Sequence, residues 1–154
     1  MNIAEGAVAV APAELEARGI GSCVVLVLYD PAIQAGGMAH ILLPSEDGAR
    51  SHPPGFQYAD TALAGLLEPL LRLGAKPSRL VAKLAGGARM FDFSEEPGAT
   101  VGERNVSCLR ALLKSSGIPL IGEDVGGSRG RSVRFELATG RLIVSTLGCV
   151  AHEI

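Results

Sequence analysis

Cys23 stands where the glycine-containing turn Gly19-Ile20-Gly21-Ser22 gives way to the apolar run Val24 to Leu28, and His40 lies in the next apolar run. A thiolate is a strong nucleophile, and imidazole carries protons near neutral pH. Together they suit acyl transfer: sulfur attacks a carbonyl carbon, and histidine takes the thiol proton and returns it to the leaving group. A cysteine at a turn-to-strand junction presents its sulfur at the rim of a sheet. There, backbone N–H groups around Gly21 and Ser22 are free to favour thiolate or hold an oxyanion. Spacing alone leaves the alternative open that Cys23 is a small buried hydrophobe and His40 a hydrogen-bonded core residue.

The remaining groups offer less. Cys108 falls within a helical pattern and Cys149 near the end of the sequence, and both read as bystanders. His52 sits in a polar loop and reads as solvated. Cys23, His40 and His52 show neither C-x2-C nor H-x3-H spacing, so no metal site is expected. The run Gly126-Gly127-Ser128-Arg129-Gly130-Arg131 lacks the lysine and hydroxyl that end a phosphate-binding loop, and reads as a tight connection between strands. No cofactor is expected.

Bringing sulfur and imidazole together requires a hairpin. Ser22 to Tyr29 reads as a buried strand, Asp30-Pro31 as a turn, and Gly37 to Leu43 as a returning strand closed by Pro44. In an antiparallel pair, opposite residues have a constant index sum, and Cys23 and His40 share a face only when that sum is odd. A turn centred near Ala32-Ile33 gives a sum of about 65, which sets His40 opposite Val25 and diagonal to Cys23. Gly36-Gly37 is a natural place for a bulge that would close the remaining gap.

The rest of the chain supplies the scaffold. Ile3 to Val10 reads as a first strand ended by Pro12, and Ser45 to Gln57 as a loop long enough to cover a site. From Asp60, Leu63, Leu66, Leu67, Leu70 and Leu71 recur at helical spacing up to Gly74, with a kink or break expected near Glu68 because of Pro69. Leu80 to Leu84 reads as a strand, Glu103 to Ser116 as a second helix stopped by Gly117, and Ile118 to Ile121 as the start of another strand. Ser132 to Leu137 and Arg141 to Leu147 alternate and form a hairpin around Thr139-Gly140. Strands before, between and after two helices predict an α+β fold, a layered sandwich of mixed β-sheets flanked by helices.

With 154 residues, 47% of them hydrophobic and 19% charged, the chain is read as one domain over residues 1–154 without a disordered linker. The absence of long apolar runs and of a basic leader predicts a soluble, cytoplasmic protein with no membrane insertion. Three cysteines at unrelated spacings argue against a disulfide framework. A net charge of −2 with interspersed signs excludes the footprint of a nucleic-acid binder, so the expected partner is a protein or small molecule.

Gly21-Ser22-Cys23-Val24, Tyr29-Asp30-Pro31, Gly36-Gly37-Met38-Ala39-His40 and Leu43-Pro44 resemble, in order and spacing, the signature of the CheD family of chemoreceptor glutamine deamidases. Tyr58-Ala59-Asp60-Thr61-Ala62, Ala82 to Ala88, Met90-Phe91, Gly102-Glu103-Arg104-Asn105-Val106 and Asp124 to Arg131 extend the likeness over roughly residues 19–147. The resemblance implies a chemotaxis enzyme that converts selected glutamines on receptor cytoplasmic helices to glutamate and can also cleave glutamate methyl esters. It implies Cys23 as nucleophile, His40 as its base, and a sandwich fold similar to deamidating-toxin cysteine hydrolases. Members of the family carry a threonine six residues before the cysteine, whose hydroxyl orients the histidine; here that position is Ala17. The departure keeps a second reading open, a catalytically weak adaptor that binds receptors or a CheC-type phosphatase. An imidazole-paired Cys23 would also be the fastest of the three thiols to alkylate at neutral pH.

Overall fold

The computed structural model of the chain describes residues 1–44, 55–90 and 99–154. Nine strands and two α-helices follow one another as β1 (Gly6–Val10), β2 (Glu14–Ile20), β3 (Val24–Asp30), β4 (Ala35–Ile41), α1 (Ala59–Arg72), β5 (Val81–Gly86), α2 (Val101–Ser115), β6 (Leu120–Val125), β7 (Arg131–Glu136), β8 (Arg141–Thr146) and β9 (His152–Glu153). A five-stranded sheet has the order β1-β4-β3-β5-β6, and a four-stranded sheet the order β2-β7-β8-β9. The first is mixed, because β5 and β6 run parallel, whereas the pairs of the second are antiparallel. The predicted α+β layered sandwich is therefore the observed class.

The layers follow from the alternation of β3. Val24, Leu26 and Leu28 pack with Leu63, Leu66 and Leu70 of α1 and Val106, Leu109 and Leu113 of α2. Cys23, Val25, Val27 and Tyr29 pack with Ala17, Val133, Phe135, Leu142 and Val144 of the second sheet. Both helices thus cover one face of the central sheet, and the second sheet covers the other. All seven residues of β3 and of β4 are buried, as a strand pair sandwiched between two layers requires. Among the described residues, no helix is long and apolar enough to cross a membrane.

The hairpin has the expected register. Val25 lies opposite His40, and the pairing runs without interruption from Val24↔Ile41 to Asp30↔Ala35. The expected bulge at Gly36-Gly37 is absent, and the two glycines serve the two faces instead. A Cβ on Gly36 would lie 2.7 Å from the Phe135 ring on the second sheet, and one on Gly37 would lie 2.8 Å from Val8 and 3.0 Å from Leu66 of α1. Each lets a large side chain press against the strand.

Other expectations shift. Glu14–Ile20 is a strand, so Gly19 and Ile20 end β2 and do not form a turn; it pairs with β7 and carries Ala17 opposite Val133. β1 begins at Gly6, not Ile3. No break occurs at Glu68: α1 runs continuously through Pro69 to Arg72. Pro69 gives up the bond its N–H would make to the Gly65 carbonyl, and the helix continues across it with Leu66 and Leu70, one turn apart on the buried face, both fully buried. α2 begins at Val101, two residues before the expected Glu103. Thr100 accepts a hydrogen bond from the Glu103 N–H at 3.2 Å while the Glu103 carboxylate accepts from the Thr100 N–H at 2.7 Å, closing a capping box. Most of the expected loop from Ser45 to Gln57, with His52, lies outside the described residues.

Candidate active site

Cys23 immediately precedes β3, and His40 is the penultimate residue of β4. The index sum of 65 places Cys23 opposite Leu42 and diagonal to His40, an arrangement with Cα atoms about 7–8 Å apart. Cys23 and Val25 both face the second sheet, and His40, opposite Val25, faces it too, as does Met38 two residues earlier. Cys23 and His40 thus lie on one face at the end of one hairpin.

Both are covered. Cys23 is 5% exposed and His40 is fully buried. The main chain of His40 is committed to the N-terminal edge: its N–H donates to the Glu5 carbonyl and its carbonyl accepts from the Ala4 N–H, each at 2.8 Å. The ring is not. Neither Nδ1 nor Nε2 makes a hydrogen bond among the described residues. Ala17, the position of the family's threonine, is fully buried on the same inter-sheet face as Cys23. Its methyl group offers no hydrogen-bond acceptor. Glu16, its neighbour, is exposed and on the opposite face of β2.

Burial sets the protonation states. It pushes the Cys23 thiol above the ordinary cysteine range, with the residue's own N–H pulling the other way. It pushes the His40 imidazole below the ordinary histidine range; the nearby Met1 backbone and Glu5 favour the charged ring, and the Met1 amino group disfavours it. Two opposite shifts of this kind work against a preformed thiolate–imidazolium pair. Among the described residues no hydrogen bond joins the Cys23 sulfur to the His40 ring, and burial favours the neutral form of each. Burial of Cys23 and its raised thiol pKa argue against its being the fastest of the three thiols to alkylate. Exposed Cys149, with the Arg129 guanidinium 3.7 Å from its sulfur, is the more accessible thiol, and Cys108 is partly covered and donates to the Pro44 carbonyl at 3.3 Å.

The walls are built by close backbone approach. The Gly87 N–H donates to the Cys23 carbonyl at 2.7 Å and the Ala88 N–H to the Gly21 carbonyl at 2.8 Å, so the β5 terminus holds the Gly21-Ser22-Cys23 turn from one side. Gly86 has φ of +121°, and a Cβ there would stand 2.3 Å from the Cys23 carbonyl oxygen, which only glycine avoids. Among the described residues, the N–H groups of Gly21, Ser22 and Cys23 donate no hydrogen bond to the backbone. These are the groups expected to hold an oxyanion. Met90 lies over the turn, its Cγ 2.8 Å from where a Gly21 Cβ would be.

Two polar residues of this region had no role assigned from sequence. Arg131 is buried and donates to the Gly86 carbonyl at 3.0 Å, to the Gly126 carbonyl at 2.6 Å and to the Asp124 carbonyl, while lying 3.2 Å from the Asp124 carboxylate. The glycine-rich run is thus a tight connection between β6 and β7, with the Arg131 guanidinium tying its first residue, Gly126, to carbonyls of β5 and β6. Asn105, fully buried on α2, donates to the Ser22 and Leu42 carbonyls at 3.2 and 3.0 Å. An asparagine on the stripe that buries Gly102, Val106, Leu109 and Leu113 was the visible signal. Among the described residues, no group of three histidine, cysteine or acidic side chains is placed to hold a metal ion.

A sequence model of the CheD family, described as chemotactic sensory transduction, matches residues 42–146. The chain is 45% identical over 148 residues to the chemoreceptor glutamine deamidase CheD of Thermotoga maritima, covering 96% of this chain and 91% of that protein. It is 47% identical over 138 residues to a probable chemoreceptor glutamine deamidase CheD of Desulfitobacterium hafniense, covering 89% and 86%. A probable CheD of Caldanaerobacter subterraneus is 41% identical over 149 residues, covering 96% and 92%. The family match starts just after the β3–β4 hairpin that carries Cys23 and His40, but the pairwise likenesses span nearly the whole chain. With two thirds of its length matched by the family and relatives this similar end to end, the chain belongs to the CheD family.

Proposed function

We propose that this chain deamidates glutamine side chains of chemoreceptors, as its relatives are named for doing, and that Cys23 and His40 carry the reaction. The observation that supports this most is their shared face at the end of one hairpin, beside three backbone N–H groups without backbone acceptors among the described residues. Cys23 sulfur attacks the glutamine Cδ as His40 accepts its proton, and the carbonyl oxygen becomes an oxyanion facing the N–H groups of Gly21, Ser22 and Cys23. The C–N bond breaks as His40 returns the proton to the departing ammonia. A thioester remains. Water, losing a proton to His40, then attacks the thioester, and glutamate leaves as sulfur is reprotonated. A glutamate methyl ester presents the same acyl group with methanol as leaving group, so esterase activity belongs to the same site.

The expected partners are the cytoplasmic helices of methyl-accepting receptors, and the expected place of action is the cytoplasm. The unpaired His40 ring and the alanine at position 17 favour one rival, an adaptor that occupies receptor segments or binds a CheC-type phosphatase with little turnover. Peptide masses of receptor cytoplasmic fragments, incubated with wild type and with Cys23→Ala, separate the two. The deamidase reading expects amide-to-acid mass changes with wild type only, and binding by both. Identical masses with the two proteins would leave the adaptor.

A further inference from the structure

We infer that Asn105 is a positioning residue for the reaction, one amide on α2 that sets the distance between the strand carrying the nucleophile and the strand carrying the base. The inference rests on the proposed roles of Cys23 and His40. The β3–β4 ladder ends at Val24↔Ile41, one step short of the Cys23–Leu42 level. Beyond that point no ladder bond joins the strands. The Leu43 N–H, which would continue the ladder to Ser22, donates instead to the Gln57 carbonyl at 3.0 Å, and the Leu43 carbonyl accepts from the Ala59 N–H at 3.0 Å. At this fork the Asn105 Nδ2 donates to both sides, to Ser22, the residue before the nucleophile, and to Leu42, two residues after the base.

The helix is itself held at the fork. A Cβ on Gly102 would stand 2.6 Å from the Gly87 carbonyl oxygen, so glycine lets the first turn of α2 rest on the segment that grips Cys23. Three residues on, Asn105 is fully buried with its Oδ1 unpaired among the described residues. The orphan Oδ1 disfavours the fold, while the two Nδ2 bonds give the Ser22 and Leu42 carbonyls their donor. What the Nδ2 holds in place is the Ser22 to Cys23 turn against the end of β4. With both carbonyls fixed, the Ser22–Cys23 peptide is fixed too, and with it the Cys23 N–H and the origin of the sulfur.

The test compares wild type, Asn105→Leu, Asn105→Ser and Cys23→Ala on receptor cytoplasmic fragments, with thermal unfolding of each. Asn105→Leu is expected to fold with a lowered Tm, because the Ser22 and Leu42 carbonyls lose their donor, and to lose about 10- to 100-fold in kcat per folded molecule with KM nearly unchanged, since small misplacement of reacting groups costs that much. Asn105→Ser, which keeps one donor, should fall between. A folded Asn105→Leu with kcat within about twofold of wild type overturns the inference while leaving Cys23 catalysis intact. So would failure of both Asn105 variants to fold, because the amide would then hold the fold and not the pair. Activity surviving in Cys23→Ala would instead remove the reading on which the inference rests.

Discussion

The two ends of the β3–β4 hairpin bury polar groups in opposite ways. At the turn end, Asp30 is fully buried and saturated: it accepts from the Ala32 and Lys76 N–H groups at 3.0 Å each and from the Arg79 guanidinium at 2.6 Å. At the other end lie His40 with two nitrogens, Asn105 with an oxygen and Arg131 with an Nε that have no partner among the described residues. One strand pair therefore carries a polar cluster whose partners are complete and another whose partners are not. A completed buried network fixes structure, whereas incomplete partners at the Cys23 end are where binding and chemistry can supply the missing contacts.

Exchanging His40 for an apolar side chain tests this contrast hardest. His40→Leu should lower kcat by about 10²–10⁴-fold, the span for loss of a general base. It should also raise stability by about 1 kcal/mol, since an unpaired buried imidazole is removed. A less stable His40→Leu in urea unfolding would show that the ring has partners in solution and would erase the difference between the two ends. Asp30→Ala should do the reverse, costing about 3 kcal/mol in the same assay with kcat per folded molecule unchanged. The pH dependence follows with its sign. Arg79 holds the Asp30 carboxyl below its usual range, so its contribution is present above the unfolded carboxylate pKa and is lost as pH falls through the lower folded value. Burial also holds His40 below its usual range, so stability is retained above the unfolded imidazole pKa and declines in acid. That decline should be absent in His40→Leu.

How much of this contrast was visible beforehand depends on range along the chain. The register of the hairpin was legible because a buried strand pair joined by a short turn permits few index sums, and the sum of 65 predicted for His40 is the one observed. β2 was missed although Leu15 and Ala17 alternate with Glu14, Glu16 and Arg18. Charged residues and alanine have little strand preference of their own, and what makes this segment a strand is its distant pairing with β7. The bulge was misplaced because Gly36 and Gly37 answer to Phe135 and Leu66, contacts that no local pattern displays. Cys23 and His40 stood out by residue type. Asn105 and Arg131 did not, because their importance lies in which carbonyls they reach across 83, 63 and 45 residues of sequence.

Two smaller effects refine the comparison. Alkylation followed by peptide mapping at neutral pH should modify Cys149 first and Cys23 slowly, with the Cys23 rate climbing as pH rises through its elevated pKa. Rapid modification of Cys23 would mean a preformed thiolate and an open site. Ala17→Thr should raise kcat a few-fold if its hydroxyl reaches the unpaired ring, while added bulk at a fully buried position costs about 1–3 kcal/mol in stability. No gain in rate would show that the missing hydroxyl is not what limits this enzyme.

The central claim is that sulfur and imidazole on one sheet face act as nucleophile and base, and the covalent intermediate tests it most directly. Wild type and His40→Gln would be mixed with a receptor cytoplasmic fragment, quenched in acid and mapped by mass spectrometry. The account predicts a fragment joined to the Cys23 peptide with loss of one ammonia in the wild type, formed far more slowly in His40→Gln. Deamidated fragments accumulating with no adduct on Cys23 at any quench time, or an adduct formed equally fast in both proteins, would contradict it.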